Sequence, residues 1–147
     1  MKLIKSSYLI YVILVSAFIG FLDSAYLTIL HYQHVIPPCT VTNGCETVLT
    51  SSFSTIWGIP IALLGAGFYV SIIGLSLALL TIKLNDKLKM INGKLLILDA
   101  VSGFIISIVL LYIQFAILNT YCQYCLISEA TSLVIFLAAI ALFKNKK

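Results

Sequence analysis

The chain has 147 residues, 61% of them hydrophobic and 10% charged, with a mean hydropathy of +1.12. Soluble domains average about 25% charged and 45–50% apolar residues, so this composition describes an integral membrane protein with room for one compact bundle. The formal charge of +4 is carried by lysine without any arginine; the lysines flank apolar runs, where they act as topology signals and do not point to nucleic acid.

Crossing a hydrocarbon core takes about 20 apolar residues. Four runs qualify, near 8–30, 60–82, 95–118 and 124–143. The expected fold is therefore all-α, a single membrane domain over 1–147. The first run follows Lys2 and Lys5, as a signal peptide would, but it stays apolar well beyond the usual length of such a segment. Lys2 and Lys5 precede the first span, Lys83, Lys87, Lys89 and Lys94 separate the second and third, and Lys144, Lys146 and Lys147 follow the fourth. The positive-inside rule then predicts a multi-pass protein of the cell membrane with both termini cytoplasmic. It puts Cys39, Cys45, Cys122 and Cys125 on the extracytoplasmic side, where disulfides persist.

The first outer loop leaves the membrane through Pro37 and Pro38, which restrict the backbone. Cys39 and Cys45 follow, with Asn43-Gly44 between them as a turn signal. Val48, Leu49, Phe53, Ile56 and Trp57 recur at spacings of three to five, which predicts a short helix lying on the membrane surface. Gly58-Ile59-Pro60 turns the chain into the second span, with Pro60 suited to a first helical turn. Within the spans Gly65, Gly67, Ser71, Gly74, Gly103 and Ser107 are small enough to let helices approach. The fourth span opens on Cys122-Gln-Tyr-Cys125, a Cys-x-x-Cys at the mouth of a membrane helix.

Four cysteines allow three pairings. One reading is a zinc site, with His31 and His34 as further ligands, but the second pair is a loose Cys-x5-Cys in a loop and no metal is expected. A second is two static disulfides in a small structural membrane subunit. A Cys-x-x-Cys disulfide closes too small a loop to restrain the unfolded chain much. The third is two exchanging redox pairs, which closeness and a helix N-terminus favour. A transporter is disfavoured because no pair of broken helices marks a substrate site.

Asp23-Ser24-Ala25-Tyr26-Leu27-Thr28, Cys39 with Cys45, Val48-Leu49-Thr50-Ser51-Ser52, Gly58-Ile59-Pro60, Gly65 with Tyr69, and Cys122-x-x-Cys125 occur in this order. From about Asp23 to Ser128 the chain resembles the vitamin K epoxide reductase family in its bacterial and archaeal single-domain form. The resemblance implies a four-helix bundle around a quinone, capped by the outer loop. It also implies a thiol oxidase that passes electrons from a partner to a membrane quinone, menaquinone or ubiquinone, akin to vitamin K. Cys39 and Cys45 are then the shuttle pair, Cys122 exchanges with Cys45, Cys125 faces the quinone, and Ser51 assists thiol transfer. Without an attached thioredoxin-like domain, the expected partner is a separate extracytoplasmic thioredoxin-like (DsbA-like) protein. DsbB-type oxidases have the same parts in another order, with the Cys-x-x-Cys in the first outer loop.

Ionisable residues inside spans are functional candidates. Glu129 follows Cys125 by four residues and so shares its helix face, which suits a hydrogen bond to a quinone oxygen or a proton relay. Animal members carry tyrosine there, which weakens any transfer of epoxide reduction. Asp23 is read as a helix-to-helix hydrogen-bonding group near the same site. Tyr69, Phe53 and Trp57 are candidates to line an apolar quinone pocket.

Overall fold

The structure, a computed structural model, describes residues 2–81 and 85–146, and the side chains of 7–81 and 85–144. Ile82, the expected end of the second span, and Lys83 lie outside the described residues, as do the side chains of Lys2, Lys5, Lys146 and Lys147.

Four long helices carry the fold: α1 (Lys2–Gln33), α3 (Ile61–Thr81), α4 (Asp86–Tyr112) and α5 (Gln123–Lys146). All four contain stretches long and apolar enough to cross a membrane. Helix α4 starts nine residues before the expected third span. Its first turns, with Lys87, Lys89 and Lys94, continue as helix beyond the apolar stretch, and Asp86 in the first turn suits the positive end of the helix dipole. Around the bundle α1 packs on α3 and α5, and α4 completes the ring by packing on the same two helices.

Most large apolar side chains face outward, among them Phe18, Leu22 and Ile29 of α1, Ile105, Ile106 and Val109 of α4, and Leu137 of α5. A water-soluble bundle would bury them; here they are the surface offered to lipid. The interior is narrower, with Ile13, Ala17, Ile72, Leu96, Ala100, Ile135 and Ala139 at its core. Small residues set the helix spacing. A side chain at Gly20 would run into the Tyr69 ring, one at Gly103 would come within 2.5 Å of the Phe68 ring, and one at Gly65 would meet Ser24 Oγ at 3.2 Å. Gly67 and Gly74 have nothing within 4 Å of such a position, so the close approach expected of them is not made. Across α4 and α5, Phe104 and Phe136 stack with ring centres 4.2 Å apart.

Helix α1 ends three residues later than expected, in a Schellman turn. His34 adopts φ +55°, its N–H bonds to His31 O, and the Val35 N–H bonds to Leu30 O. His34 is thus part of a helix stop. The loop beyond forms only one turn and a half of helix, α2 (Cys45–Leu49). The expected continuation of this surface helix through Phe53 to Trp57 does not form. Thr50, Ser51 and Ser54 turn their hydroxyls back onto the carbonyls of Glu46, Val48 and Ser51, which competes with helix propagation. Residues Ser52–Ser54 make a 3-10 turn. A two-stranded hairpin follows, β1 (Thr55–Ile56) against β2 (Ile59–Pro60). Its two turn residues, Trp57 and Gly58, have φ +52° and +80°, as a type I′ turn requires. Pro60 therefore ends β2 and precedes the first residue of α3.

Candidate active site at the loop end of the bundle

At the end where α1 and α4 finish and α3 and α5 begin, the loop holding Cys39 and Cys45 sits on the segment holding Cys122 and Cys125. Cys39 and Cys45 are joined as a disulfide with Cα atoms 6.0 Å apart, while Cys122 and Cys125 are thiols. Gly44 makes the seating possible. A side chain there would strike Thr120 Oγ1 and come within 2.5 Å of Tyr121 O and 2.8 Å of Tyr121 N. Gln123, inside the Cys-x-x-Cys, accepts the N–H groups of Thr40 and Val41 at 3.2 and 2.9 Å on its side-chain oxygen. Tyr124 donates its hydroxyl to Pro38 O at 3.1 Å and packs its ring on Tyr26 of α1. The stretch 38–45 is thus pinned to the start of α5 around Cys39 and rests at Gly44 on the link that precedes α5. Cys45 and Cys122 are both buried, at 1% and 0% exposure, whereas Cys39 is only partly buried.

Cys122 is the N-cap of α5 and its carbonyl accepts the Leu126 N–H. Its thiol is lowered to about 7. The chief cause is a hydrogen bond from the Cys125 thiol; burial works against it, and the N–H groups of Cys125 and Tyr124 add to it. A sulfur at an N-cap receives the unpaired donors that a serine or aspartate oxygen would otherwise take.

Behind the cysteines lies a layer of buried polar groups. Helix α4 ends in one π turn, Ile113–Ile117, where the Leu118 N–H reaches back to Ile113 O. Turns of this kind widen a helix and recur at functional sites. This one carries Gln114, 2% exposed, whose Oε1 accepts the Cys122 N–H at 3.1 Å and whose Nε2 donates to Glu129 Oε1 at 2.8 Å. The other oxygen of Glu129, Oε2, is buried with no hydrogen-bond partner. On the side of α5 that meets α1, Ser128 donates to Asp23 Oδ2 at 2.7 Å. Tyr69 donates to Ser128 O and meets Thr131 Oγ1, each at 2.8 Å.

The structure thus gathers Cys39, Cys45, Cys122 and Cys125 with Glu129, Asp23 and Tyr69 at one end of the bundle. Asp23 makes the helix-to-helix hydrogen bond expected of it. Tyr69 packs into the notch at Gly20 with its hydroxyl tied to α5. Ser51 is partly buried and its hydroxyl donates to Val48 O at 2.7 Å, within the turn after α2. Phe53 and Trp57 lie on the 3-10 turn and the hairpin tip, 43% and 98% exposed. Sequence reasoning did not single out Gln114, Gln123, Ser128 or Thr131. Gln114 had a legible signal, being the one amide in the long apolar run from Leu95 to Leu118.

The model of the Vitamin K epoxide reductase family matches residues 11–140. The chain belongs to the vitamin K epoxide reductase family. Comparison with curated proteins finds no match. Members of the vitamin K epoxide reductase family are oxidoreductases that work through cysteines, linked in general to quinones and to thioredoxin-like partners. Buried Glu129 with an unpartnered oxygen, one turn from Cys125, fits a family acceptor that carries oxygens of its own.

Proposed function

We propose that this protein is a quinone-dependent thiol oxidase, generating disulfides in a thioredoxin-like partner on the extracytoplasmic side of the cell membrane. The observation that carries the reading is the seating of a closed cysteine pair on an open one, through Gly44 and Gln123, beside Glu129. Lysine distribution supports the orientation, with both termini cytoplasmic.

The path follows from access and leaving-group strength. A partner thiolate attacks Cys39, the less buried member of the loop disulfide, and the partner leaves oxidised with Cys39 and Cys45 reduced. Cys45 then attacks Cys122 in a Cys122–Cys125 disulfide, releasing Cys125 as thiolate. Cys39 attacks Cys45 in turn, closing the loop disulfide and releasing Cys122. A thiol lowered to about 7 is a good leaving group at neutral pH. The arrangement with the loop pair closed and Cys122 and Cys125 free matches the end of this transfer. When bound beside Cys125, a quinone supplies the sink for the two electrons and two protons released as Cys122 and Cys125 close their disulfide. Glu129 holds or moves a proton at Oε2, and Ser51 acts by holding the turn after α2.

The test uses purified protein in detergent with a menaquinone or ubiquinone analogue and a reduced thioredoxin-like protein. Quinone absorbance is followed for wild type, Cys45→Ala and Cys125→Ala. Loss of oxidised quinone in wild type, abolished in both variants, is the expected result. Quinone left untouched by wild type with Cys39–Cys45 intact would return the protein to the structural-disulfide reading.

A further inference from the structure

We infer that Gln114 is a positioning residue that fixes which oxygen of Glu129 carries the proton for the electron acceptor while holding Cys122 in place for thiol exchange. The inference rests on the oxidase reading and deepens it.

The argument turns on the amide, whose two ends are not interchangeable. A backbone N–H can only donate, so the group facing Cys122 N must be the oxygen of Gln114. Its NH2 is thereby directed at Glu129, where it can only donate, and it meets Oε1. Glu129 Oε1 is held as an acceptor. A proton on this carboxyl then belongs on Oε2, the oxygen with no protein partner. Buried polar atoms nearly always find a partner, and an exception calls for an explanation. Here the explanation is that Oε2 is the atom presented to the acceptor.

The π turn is what makes one side chain serve both ends. A continuous α-helix would carry the chain on without the extra residue in its last turn. Here Leu118 N–H closes on Ile113 O and Thr120 N–H on Gln114 O at 3.1 Å, so the chain folds back over the Gln114 peptide. That return brings Cys122 N–H within reach of the Gln114 side chain. Cys122 and Cys125, once reduced, release two electrons and two protons as their disulfide forms. Glu129 gives its Oε2 proton to the acceptor and regains one of those released, so it ends as it began.

Two substitutions separate the two bonds. Gln114→Met removes both. Gln114→Glu keeps an acceptor for Cys122 N–H, but as a carboxylate it cannot donate to Glu129. As a carboxylic acid it does both. The titratable groups around this position are Glu129, Cys122 and Cys125 at the start of α5, Asp23 of α1 and Tyr69 of α3, and they are common to every variant. Two readouts are taken: quinone reduction, and, without quinone, trapping of the Cys45–Cys122 mixed disulfide in Cys39→Ala and Cys125→Ala backgrounds.

Q114M is expected to slow both by about tenfold or more, a fraction of the 10²–10⁴ that a positioned acid contributes. Q114E is expected to leave mixed-disulfide formation within about twofold of wild type. Its quinone reduction should fall about tenfold at alkaline pH and recover relative to wild type as pH falls. In a Glu129→Gln background Q114E should have no further effect on quinone reduction. The inference is overturned if wild type reduces quinone and Q114E does so equally at every pH. It is also overturned if both variants lower both readouts only in proportion to lost folded protein, followed by thermal midpoint. Failure of wild type itself to reduce quinone would instead overturn the oxidase reading.

Discussion

Cys39 and Cys45 sit six residues apart in the loop, Cys39 in irregular chain and Cys45 opening the short α2, and are joined, whereas Cys122 caps the long helix α5, Cys125 lies in its first turn, and both stand as thiols. The first pair is held by what surrounds it: Gly44 pressed on Tyr121, and Gln123 gripping Thr40 and Val41. The second is held by its own secondary structure; the Cys125 thiol is the chief donor that lowers Cys122, and the helix N–H groups of Cys125 and Tyr124 add to it. A pair in a loop can change partners by small movements of backbone. A pair at a helix N-terminus keeps its geometry, and Cys122 its thiolate preference whenever the pair is reduced. On the proposed path the contrast separates exchange with a partner from delivery to the acceptor.

Removing the fit between the two pairs should have the largest effect. Gly44→Ala introduces a Cβ against backbone atoms of Tyr121 that cannot swing aside. The Cys39–Cys45 disulfide should still form, yet its exchange with Cys122 should slow about 10²-fold, as expected for a misplacement of about 1 Å at a reacting centre. Trapping the Cys45–Cys122 mixed disulfide in quenched samples measures this. Unchanged exchange in Gly44→Ala would mean that the loop does not work from this seat.

The helix-borne pair is tested through its ionisation. Ultraviolet absorbance of thiolate in the reduced protein should show Cys122 titrating near 7, below the roughly 8.5 of an ordinary thiol. The pKa is lowered, so thiolate is present above about 7 and is lost as pH falls through it, and release of Cys122 slows over that window. Cys125→Ala removes the chief cause and should move the titration toward the ordinary value. Next in size comes Gln123→Ala, which removes the one oxygen that accepts two loop N–H groups. At about 1 kcal/mol or less for each partly solvated bond, exchange should fall about fivefold. Ser51→Ala should be smallest, about twofold, because its hydroxyl holds Val48 O.

The bundle was legible because spans announce themselves by length and apolar character, and the four runs reappear as α1, α3, α4 and α5. The cysteines were legible by type, and Glu129 and Asp23 by the oddity of charge in an apolar run. What the sequence hid depends on chain path. Gln114 reaches Cys122 only because a π turn and Asn119, with φ +49°, fold the link back. Gln123 carries no signal of its own in the sequence, because its partners Thr40 and Val41 lie more than eighty residues away. The surface helix stops short for a related reason: apolar spacing continues through Thr50–Ser54, but the hydroxyls there bond to the local backbone. Gly20, whose lack of a side chain admits the Tyr69 ring, gives no local signal because its partner lies on another helix.

The grip of Gln123 on Thr40 and Val41 has a kinetic consequence. These residues directly follow Cys39, and the bonds run to backbone N–H groups that reduction of the disulfide leaves intact. On the proposed path the reduced loop therefore remains tethered to α5. Its thiols meet Cys122 at an effective concentration in roughly the millimolar range or above, independent of how dilute the protein is. Internal transfer then runs ahead of encounter, and turnover rises in proportion to donor thiol until binding of the donor saturates.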